Sequence, residues 1–292
     1  MGGRDAALLD LLGETEAARE YAFSRADFER VRALILSRAG ISLNESKETM
    51  VYGRLARRLR ATGCGSFREY LDRLEGDAAF AAAEGQEFVN ALTTNLTAFF
   101  REPHHFPILA EFARAHARRP LRIWCAASST GEEPYSIAMT LIEALGAQGD
   151  ARVLATDIDT RVLATAQRGV YKLESARACG EARLKRFFLR GRGGNDGMVR
   201  VKPDVARIVR FEPLNLLDAN WQPLASFARE LDAVFCRNVM IYFDKPTQRR
   251  IVGRIARALR AGGLLFVGHS ENFSDCREWF VLRGKTVYER LP

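Results

Sequence analysis

The sequence predicts an α/β protein: a parallel, doubly wound sheet with a small β insertion, preceded by a small all-helical domain. Three observations lead there. The first hundred residues carry only helical periodicity. After about Pro120, short apolar runs alternate with helical stretches. Between Arg183 and Arg207 the pattern alternates residue by residue, turns through Gly193 to Gly197, and alternates again.

Taken in order, residues 1–21 are polar and rich in Ala and Glu, and are expected to form a flexible tail. A helical domain is expected over 22–94. Ser24 is a good N-cap, Asp27 stands at the third helical position, and Phe28, Val31, Leu34 and Ile35 recur at helical spacing before Gly40. A second helix is expected from Ser46 to Gly63. Its apolar stripe is Val51, Tyr52, Leu55 and Leu59, flanked by a basic stripe of Lys47, Arg54, Arg57 and Arg58. Two more helices are expected over 66–74 and 78–92.

The larger domain is expected over 95–292. Apolar runs at 121–126, 152–156, 208–211, 231–236 and 264–268 read as strands, with helices over 134–145, 160–168 and 245–259 between them. Gly262 and Gly263 read as the stop of the last helix. The tail from Trp279 to Arg290 reads as an antiparallel hairpin around Arg283-Gly284-Lys285, at the sheet edge. The insertion is bounded at 183–207.

The chain has 292 residues, 47% of them hydrophobic, enough for a sizeable core. No stretch approaches the run of about 18 apolar residues that a membrane span requires. The amino-terminal segment lacks the layout of a secretion signal. Cys64, Cys125, Cys179, Cys236 and Cys276 are odd in number and scattered, which reads as reduced thiols in a cytoplasmic protein. The four histidines show no metal-ligand spacing, so no metal site is expected. The net charge of +8 is uneven: Arg161 to Glu212 holds thirteen basic and five acidic residues. Either an anionic partner or a solvated arginine face accounts for that.

The chemistry sits at the expected strand ends. Leu121-Arg-Ile-Trp-Cys-Ala126 runs into Ala127-Ser-Ser-Thr-Gly131-Glu132-Glu133-Pro134. Small residues before a helix allow a ligand close to backbone N–H groups. Glu132 and Glu133 stand where a pyrophosphate would bind, so they favour a cationic ligand or serve as helix-dipole partners. Asp157, in Thr156-Asp-Ile-Asp159, ends the second strand, where an acid accepts from ribose hydroxyls; Asp159 also reads as an N-cap. Asn215 and Leu216 follow the third strand, where an adenine edge would rest. Arg237, Asn238 and Tyr242 follow the fourth. Together these indicate a nucleoside-containing ligand without phosphates. Asn95, Thr97 and Arg101 lie among aromatics at the domain join.

Asn-Leu-Thr-Ala-Phe-Phe-Arg, Ser-Thr-Gly-Glu-Glu-Pro-Tyr-Ser, Thr-Asp-Ile-Asp, Cys-Arg-Asn-Val-Met-Ile-Tyr-Phe and Gly-His-Ser-Glu-Asn-Phe resemble the chemotaxis receptor methyltransferases of the CheR type, in order and from about Phe23 to Glu289. The resemblance implies a class I methyltransferase sheet that binds S-adenosyl-L-methionine and releases S-adenosyl-L-homocysteine. It implies cofactor contacts from Asn95, Thr97, Arg101, Glu132, Asp157, Asn215, Leu216, Arg237 and Asn238. The reaction implied is O-methylation of glutamates on methyl-accepting chemotaxis receptors, for sensory adaptation. Nucleic acid is not an implied partner, and the membrane is met only through the receptors.

Glutamate is ionised at neutral pH, so no general base is needed, and Arg101 and Tyr242 are the candidates for positioning it. Arg54, Arg57 and Arg58 are expected to meet the acidic face of a receptor helix. In some family members the β insertion holds a receptor C-terminal peptide; here Arg190 and Arg192 would favour its carboxylates. Two other readings compete. An RNA methyltransferase would use the basic segment on phosphates, but no Asn/Asp-Pro-Pro-Tyr/Phe motif is present. A non-catalytic cofactor sensor would not need the Arg101, Asn238 and Tyr242 set.

Overall fold

The computed structural model describes residues 19–146 and 149–292. The expected tail lies outside the described residues as far as residue 18. The chain divides into two compact units, one holding the helices that end at Leu92 and one running from Thr93.

In the first unit, α1 spans Arg25–Ala39. Its start is a reciprocal cap: the Asp27 N–H donates to Ser24 Oγ at 3.1 Å, and the Ser24 N–H donates to Asp27 Oδ2 at 3.0 Å. A 3-10 turn, Glu45–Lys47, delays α2 to Glu48–Thr62, and Gly63 closes it at φ 72°. The helix α3, Phe67–Gly76, is capped by Ser66, which accepts from the Glu69 N–H; α4 is Ala78–Leu92. Val31, Ile35, Val51, Leu55, Leu59, Phe67, Leu71 and Phe88 bury the shared core.

One basic residue leaves the expected stripe. Arg58 grips Glu84 with two bonds, from Nε at 2.7 Å and Nη2 at 2.6 Å, and Tyr70 donates to the same carboxylate at 2.8 Å. The side chains are 17% and 6% exposed. A carboxylate inside an alanine-rich helix must be paired, and Arg58 does this between α2 and α4. The expectation that Arg58 meets a receptor is therefore corrected. Arg54 donates to the Ala91 carbonyl at 3.3 Å, and Arg57 is exposed.

The second unit starts with α5, His105–Ala115, and then alternates: β1 Leu121–Cys125, α6 Glu132–Leu145, β2 Ala151–Asp157, α7 Thr160–Arg168. After β3, Val170–Lys172, come the short helices α8, Leu173–Ala176, and α9, Glu181–Phe187. Next are β4 Phe188–Arg190, β5 Met198–Val201, α10 Pro203–Ala206, β6 Val209–Pro213 and α11 Gln222–Phe227. The chain closes with β7 Leu231–Phe235, α12 Lys245–Ala258, β8 Leu259–Phe266, β9 Phe280–Gly284 and β10 Val287–Arg290.

The main sheet has the order β6-β2-β1-β7-β8-β10-β9. The first five are parallel; β10 runs antiparallel to both β8 and β9, as the hairpin expectation required. Both faces are covered. Ile123, Val153, Ala233 and Phe235 point into one core, and Trp124, Leu154, Val234 and Leu265 into the other. This explains the continuous apolar runs.

Several elements differ from expectation: α5, α8, α10 and α11 are not among the expected elements, and Arg183 to Phe187, expected in the β insertion, belong to the helix α9. The strand β8 begins at Leu259, not Leu264, and absorbs the glycines in an irregularity opposite Asp232. Gly262 has φ 72°, and a Cβ on Gly263 would come within 3.0 Å of the Asp232 carbonyl. The small sheet has three strands, ordered β3-β5-β4, so it starts at Val170, before the expected insertion at 183–207. β3 is only three residues long and directly follows Gly169, which ends α7. Nothing in so short a run marks it as a strand.

Arg58→Met should lower stability by about 2–4 kcal/mol, because it strands the Glu84 carboxylate in a part-dry site. Urea unfolding checks this. The double variant Arg58→Met/Glu84→Leu should recover most of the loss; no recovery would show that the pair is not the cause.

Candidate active site

The second unit gathers its polar groups at the carboxyl ends of β1, β2, β6 and β7. Between β1 and α6, Ser129 sits at φ 48° and Gly131 at φ 101°. A Cβ on Gly131 would collide with the Tyr171 hydroxyl at 2.6 Å and with Ala166 at 2.8 Å, so the tight turn requires glycine. The loop is pinned on both sides. The Ser129 N–H donates to Asp157 Oδ2 at 2.8 Å, and Ser129 Oγ donates to the Asn95 carbonyl at 2.9 Å. Tyr171, from the small sheet, donates to the Thr130 carbonyl at 2.7 Å. Thr130 Oγ1 donates to Glu132 at 2.6 Å, and burial pushes the Glu132 carboxyl up.

At the end of β2, Asp157 is buried and accepts from Ser129 N–H and from Asp159 N–H at 2.9 Å. Burial nevertheless pushes its pKa up to about 6. Asp159 has two tasks. One oxygen caps α7 through Arg161 and Val162; the other receives Thr93 at 2.6 Å and Asn95 Nδ2 at 2.8 Å. The Asn95 amide nitrogen is thereby used inside the protein. Arg101 Nη1 donates to the Leu96 carbonyl at 2.9 Å, which folds its side chain over the same segment. Thr97 lies half-buried between them.

After β6, the Leu217 N–H donates to Asn215 Oδ1 at 3.0 Å, and Leu216 is buried. Arg254 supports this loop from below, donating to the carbonyls of Leu216, Asp218 and Ala219. After β7, Arg237 is 4% exposed. Its Nη1 pairs with Glu133; its Nη2 donates to the Arg101 carbonyl at 2.7 Å and lies 3.3 Å from Glu102. Both terminal nitrogens are committed to the protein, so the head of Arg237 is part of the frame. Asn238 follows at φ 56°. Glu271 organises this turn, accepting the N–H groups of Gly268, Asn238, Val239 and Met240 at 2.6 to 3.0 Å. A Cβ on Gly268 would strike Asn238 at 2.4 Å. Tyr242 ends the 3-10 turn Met240–Tyr242, half-exposed.

Sequence reading gave no role to Glu271 or Arg254, read Glu133 as a ligand-facing or helix-dipole acid and not as the partner of Arg237, and saw Asp159 only as an N-cap. The signal available was an acid three residues after a glycine that closely follows a strand end, as in Gly268-His-Ser-Glu271. All five cysteines are buried and free, and burial pushes the Cys125 and Cys236 thiols well up, away from nucleophilic use. Glu102, His104 and His105 bring three potential ligand atoms within 4.8 Å of one another, with Arg237 already against the carboxylate.

Residues 95–288 match the family described as "CheR methyltransferase, SAM binding domain", and residues 26–93 match "CheR methyltransferase, all-alpha domain". The chain is 54% identical to the chemotaxis protein methyltransferase of Klebsiella aerogenes, over 94% of this chain and 92% of that protein. Identity to chemotaxis protein methyltransferase 2 of Pseudomonas aeruginosa is 53%, over 92% and 95% of the two chains. The Escherichia coli chemotaxis protein methyltransferase is 52% identical, over 91% of each.

The site suits S-adenosylmethionine. Its donor set is carboxylate-rich where a phosphate would otherwise lie, with Glu132 and Asp157 both part-shielded from water. These acids favour an ammonium, a sulfonium and ribose hydroxyls. The Ser128 hydroxyl, buried without a partner, is a further polar atom in the same loop.

The raised Asp157 value has two consequences. Its folded pKa exceeds the usual carboxylate range near 3.9. What this group adds to stability is therefore greatest below about pH 4, and is lost as pH rises through about 6. Ligand binding runs the other way, since the ionised oxygen accepts better. Affinity for S-adenosylhomocysteine should rise as pH passes about 6 and then level off. Calorimetric titration from about pH 5 to 8 measures this. Asp157→Asn should bind more weakly and lose the step; a step that survives the substitution belongs to another group.

Proposed function

The chain belongs to the CheR methyltransferase family, and on that premise we propose that it converts glutamate side chains of chemoreceptors into methyl esters. It uses S-adenosylmethionine for methyl transfer in chemotactic adaptation. The observation that carries the ester chemistry is a site with two shielded acids, the half-buried Glu132 and the buried Asp157, a half-exposed arginine and tyrosine, Arg101 and Tyr242, and no buried histidine free to act as base. His105 is fully buried, and burial beside Arg237 drives it down to about 4, while its Nε2 faces Lys285 and Thr286.

When bound, S-adenosylmethionine would supply its sulfonium methyl to a carboxylate oxygen, the C–O bond forming as the C–S bond breaks and S-adenosylhomocysteine leaves. Glutamate arrives ionised, so the protein has no proton to remove. What remains is alignment and exclusion of water, since water stabilises the separated charges and opposes their merger. Arg101, anchored by Leu96, orients the incoming carboxylate together with Tyr242. A grip that is too tight would also stabilise the ground state and blunt the nucleophile. One committed Arg101 nitrogen and a single Tyr242 hydroxyl fit a light hold.

Receptor recognition is assigned to two surfaces. Arg57, exposed, and Arg54 present positive charge from α2 to an acidic helix. The strand β4 is the outer strand of the small sheet, with Leu189 48% exposed and Arg190 and Arg192 exposed. An open edge accepts an extended peptide by strand addition, and the arginines suit its carboxylates. Such a tether raises local enzyme concentration to the millimolar range. These roles place the protein in the cytoplasm. Among the described residues no helix is long and apolar enough to cross a membrane.

Incubation with methyl-labelled cofactor and chemoreceptor membranes tests the ester. The label should leave as methanol in mild alkali; alkali-stable label would overturn the reading. Arg57→Glu should slow transfer several-fold and leave S-adenosylhomocysteine affinity unchanged. A receptor C-terminal peptide of the Trp-Glu-x-Phe kind should bind in the micromolar range and lose at least about tenfold with Arg190→Glu/Arg192→Glu. Absence of binding at millimolar peptide would remove the tether and leave the methyltransferase standing.

A further inference from the structure

Away from the cofactor crevice, the second unit carries a cavity of about 260 Å³ beside α11 and α12. It opens towards the amino ends of the strands, since Leu231 begins β7 and Ala258 ends α12. Leu224 and Leu231 supply apolar lining, Trp221 one wall, and Arg229, Arg254 and Arg257 the charge.

Three observations separate this place from an ordinary solvated basic surface. Arg254 is fixed. Its guanidinium lies 3.8 Å from the centre of the Trp221 ring, and it donates to Asp218 and Ala219 carbonyls at 2.6 and 3.1 Å. The positive charge also meets no carboxylate at ion-pair distance among the described residues, with Asp218 acting on Arg254 and Asp244 on Arg250 only from further away. Arg250, Arg254 and Arg257 share one face of α12 by their spacing. Neither they nor Arg229 form an ion pair among the described residues, although neighbouring Arg249 and Arg260 do. Burial, and then repulsion from Arg257 and Arg250, holds the Arg254 pKa below its ordinary value. Finally, Trp221 is buried and its Nε1 has no acceptor among the described residues. A donor kept from water calls for a partner.

We propose that this cavity is a second ligand site, for a small amphiphilic anion. Its carboxylate or phosphate pairs with Arg229 and Arg257, and an apolar group no larger than one ring rests against Leu224, Leu231 and Trp221. The dimensions set the class. A dry cavity of about 150 Å³ holds benzene, whereas nucleotide-sized ligands need more than about 300 Å³. The forked guanidinium groups match planar oxyanions. The methyl-transfer reading uses none of these residues except Arg254, which supports the Leu216 loop.

The test uses the full chain saturated with S-adenosylhomocysteine, so that the cofactor crevice is filled. Phenyl phosphate, benzoate and inorganic phosphate are titrated by calorimetry and by tryptophan fluorescence. Phenyl phosphate or benzoate should bind one-to-one in the sub-millimolar range, with inorganic phosphate at least about tenfold weaker. Which of the two aromatic anions binds better identifies the head group. Arg229→Glu/Arg257→Glu should weaken the aromatic anion at least about tenfold and leave S-adenosylhomocysteine affinity unchanged. Should that variant fail to fold, Ala225→Phe, which fills the exposed lip of the cavity, should block binding with the charge intact. Equal binding of phenyl phosphate and inorganic phosphate would overturn the proposal. So would binding indifferent to the variants, or none at about 10 mM.

Discussion

The site hangs on one buried guanidinium. Arg237 leaves the end of β7 and reaches Glu133 at the start of α6, Glu102, and the Arg101 carbonyl. Three segments far apart in sequence meet on one planar group. Removing two charges from water costs several kcal/mol each, and only close geometry with further hydrogen bonds offsets that. The geometry here is close: Glu133 also receives the Cys125 thiol at 3.3 Å, and Glu102 receives His269 at 3.1 Å. A misplaced Arg237 would leave two carboxylates stranded, so the position of the Arg101 segment relative to the strand ends is sharply determined. A hydrophobic replacement could match the stability but not the three-way registration.

Around that frame the protein repeats one device, a buried carboxylate collecting backbone N–H groups. Asp157 holds the loop after β1, Asp159 caps α7 while fixing Thr93 and Asn95, and Glu271 takes four N–H groups of two loops. The loops after β1 and β7 carry residues at positive φ, Ser129 and Gly131 in one and Asn238 in the other. Such turns leave several donors pointing the same way, and a single acid satisfies them without needing regular secondary structure. The same acids make the crevice negative. Scaffold chemistry and ligand chemistry therefore agree, since a cationic cofactor is welcome where a pyrophosphate would be repelled.

What could be read from the sequence was what is local. Ser24 with Asp27, Ser66, Asp159 and Gly63 act within one helical turn, and each sits where its spacing implied. The five parallel strands were legible because both sheet faces are buried, which leaves unbroken apolar runs. Long-range pairings were not legible. Arg58 looked like part of an exposed stripe because Glu84 is 26 residues away, and no helical wheel contains both. Arg237 looked like a ligand contact because its motif is ligand-facing. Its real partners, 104 residues away for Glu133, appear only after folding. β3 failed for another reason. Three residues after a helix-ending glycine carry no period, and only pairing with β5 makes them a strand.

The division of charge follows from these constraints. Inside the second unit, arginine is used where it can be surrounded: Arg237 by two carboxylates, Arg254 by three carbonyls and an indole face. Outside, Arg57, Arg190 and Arg192 are exposed. An exposed arginine adds little to stability. A buried one is an assembly element whatever motif it sits in. Burial and partner geometry thus sort the arginines more surely than sequence position does: they move Arg58 from recognition to architecture and show the head of Arg237 held by two carboxylates. The crevice is left with carboxylates that suit the cofactor, and with Arg101, whose head is only partly committed.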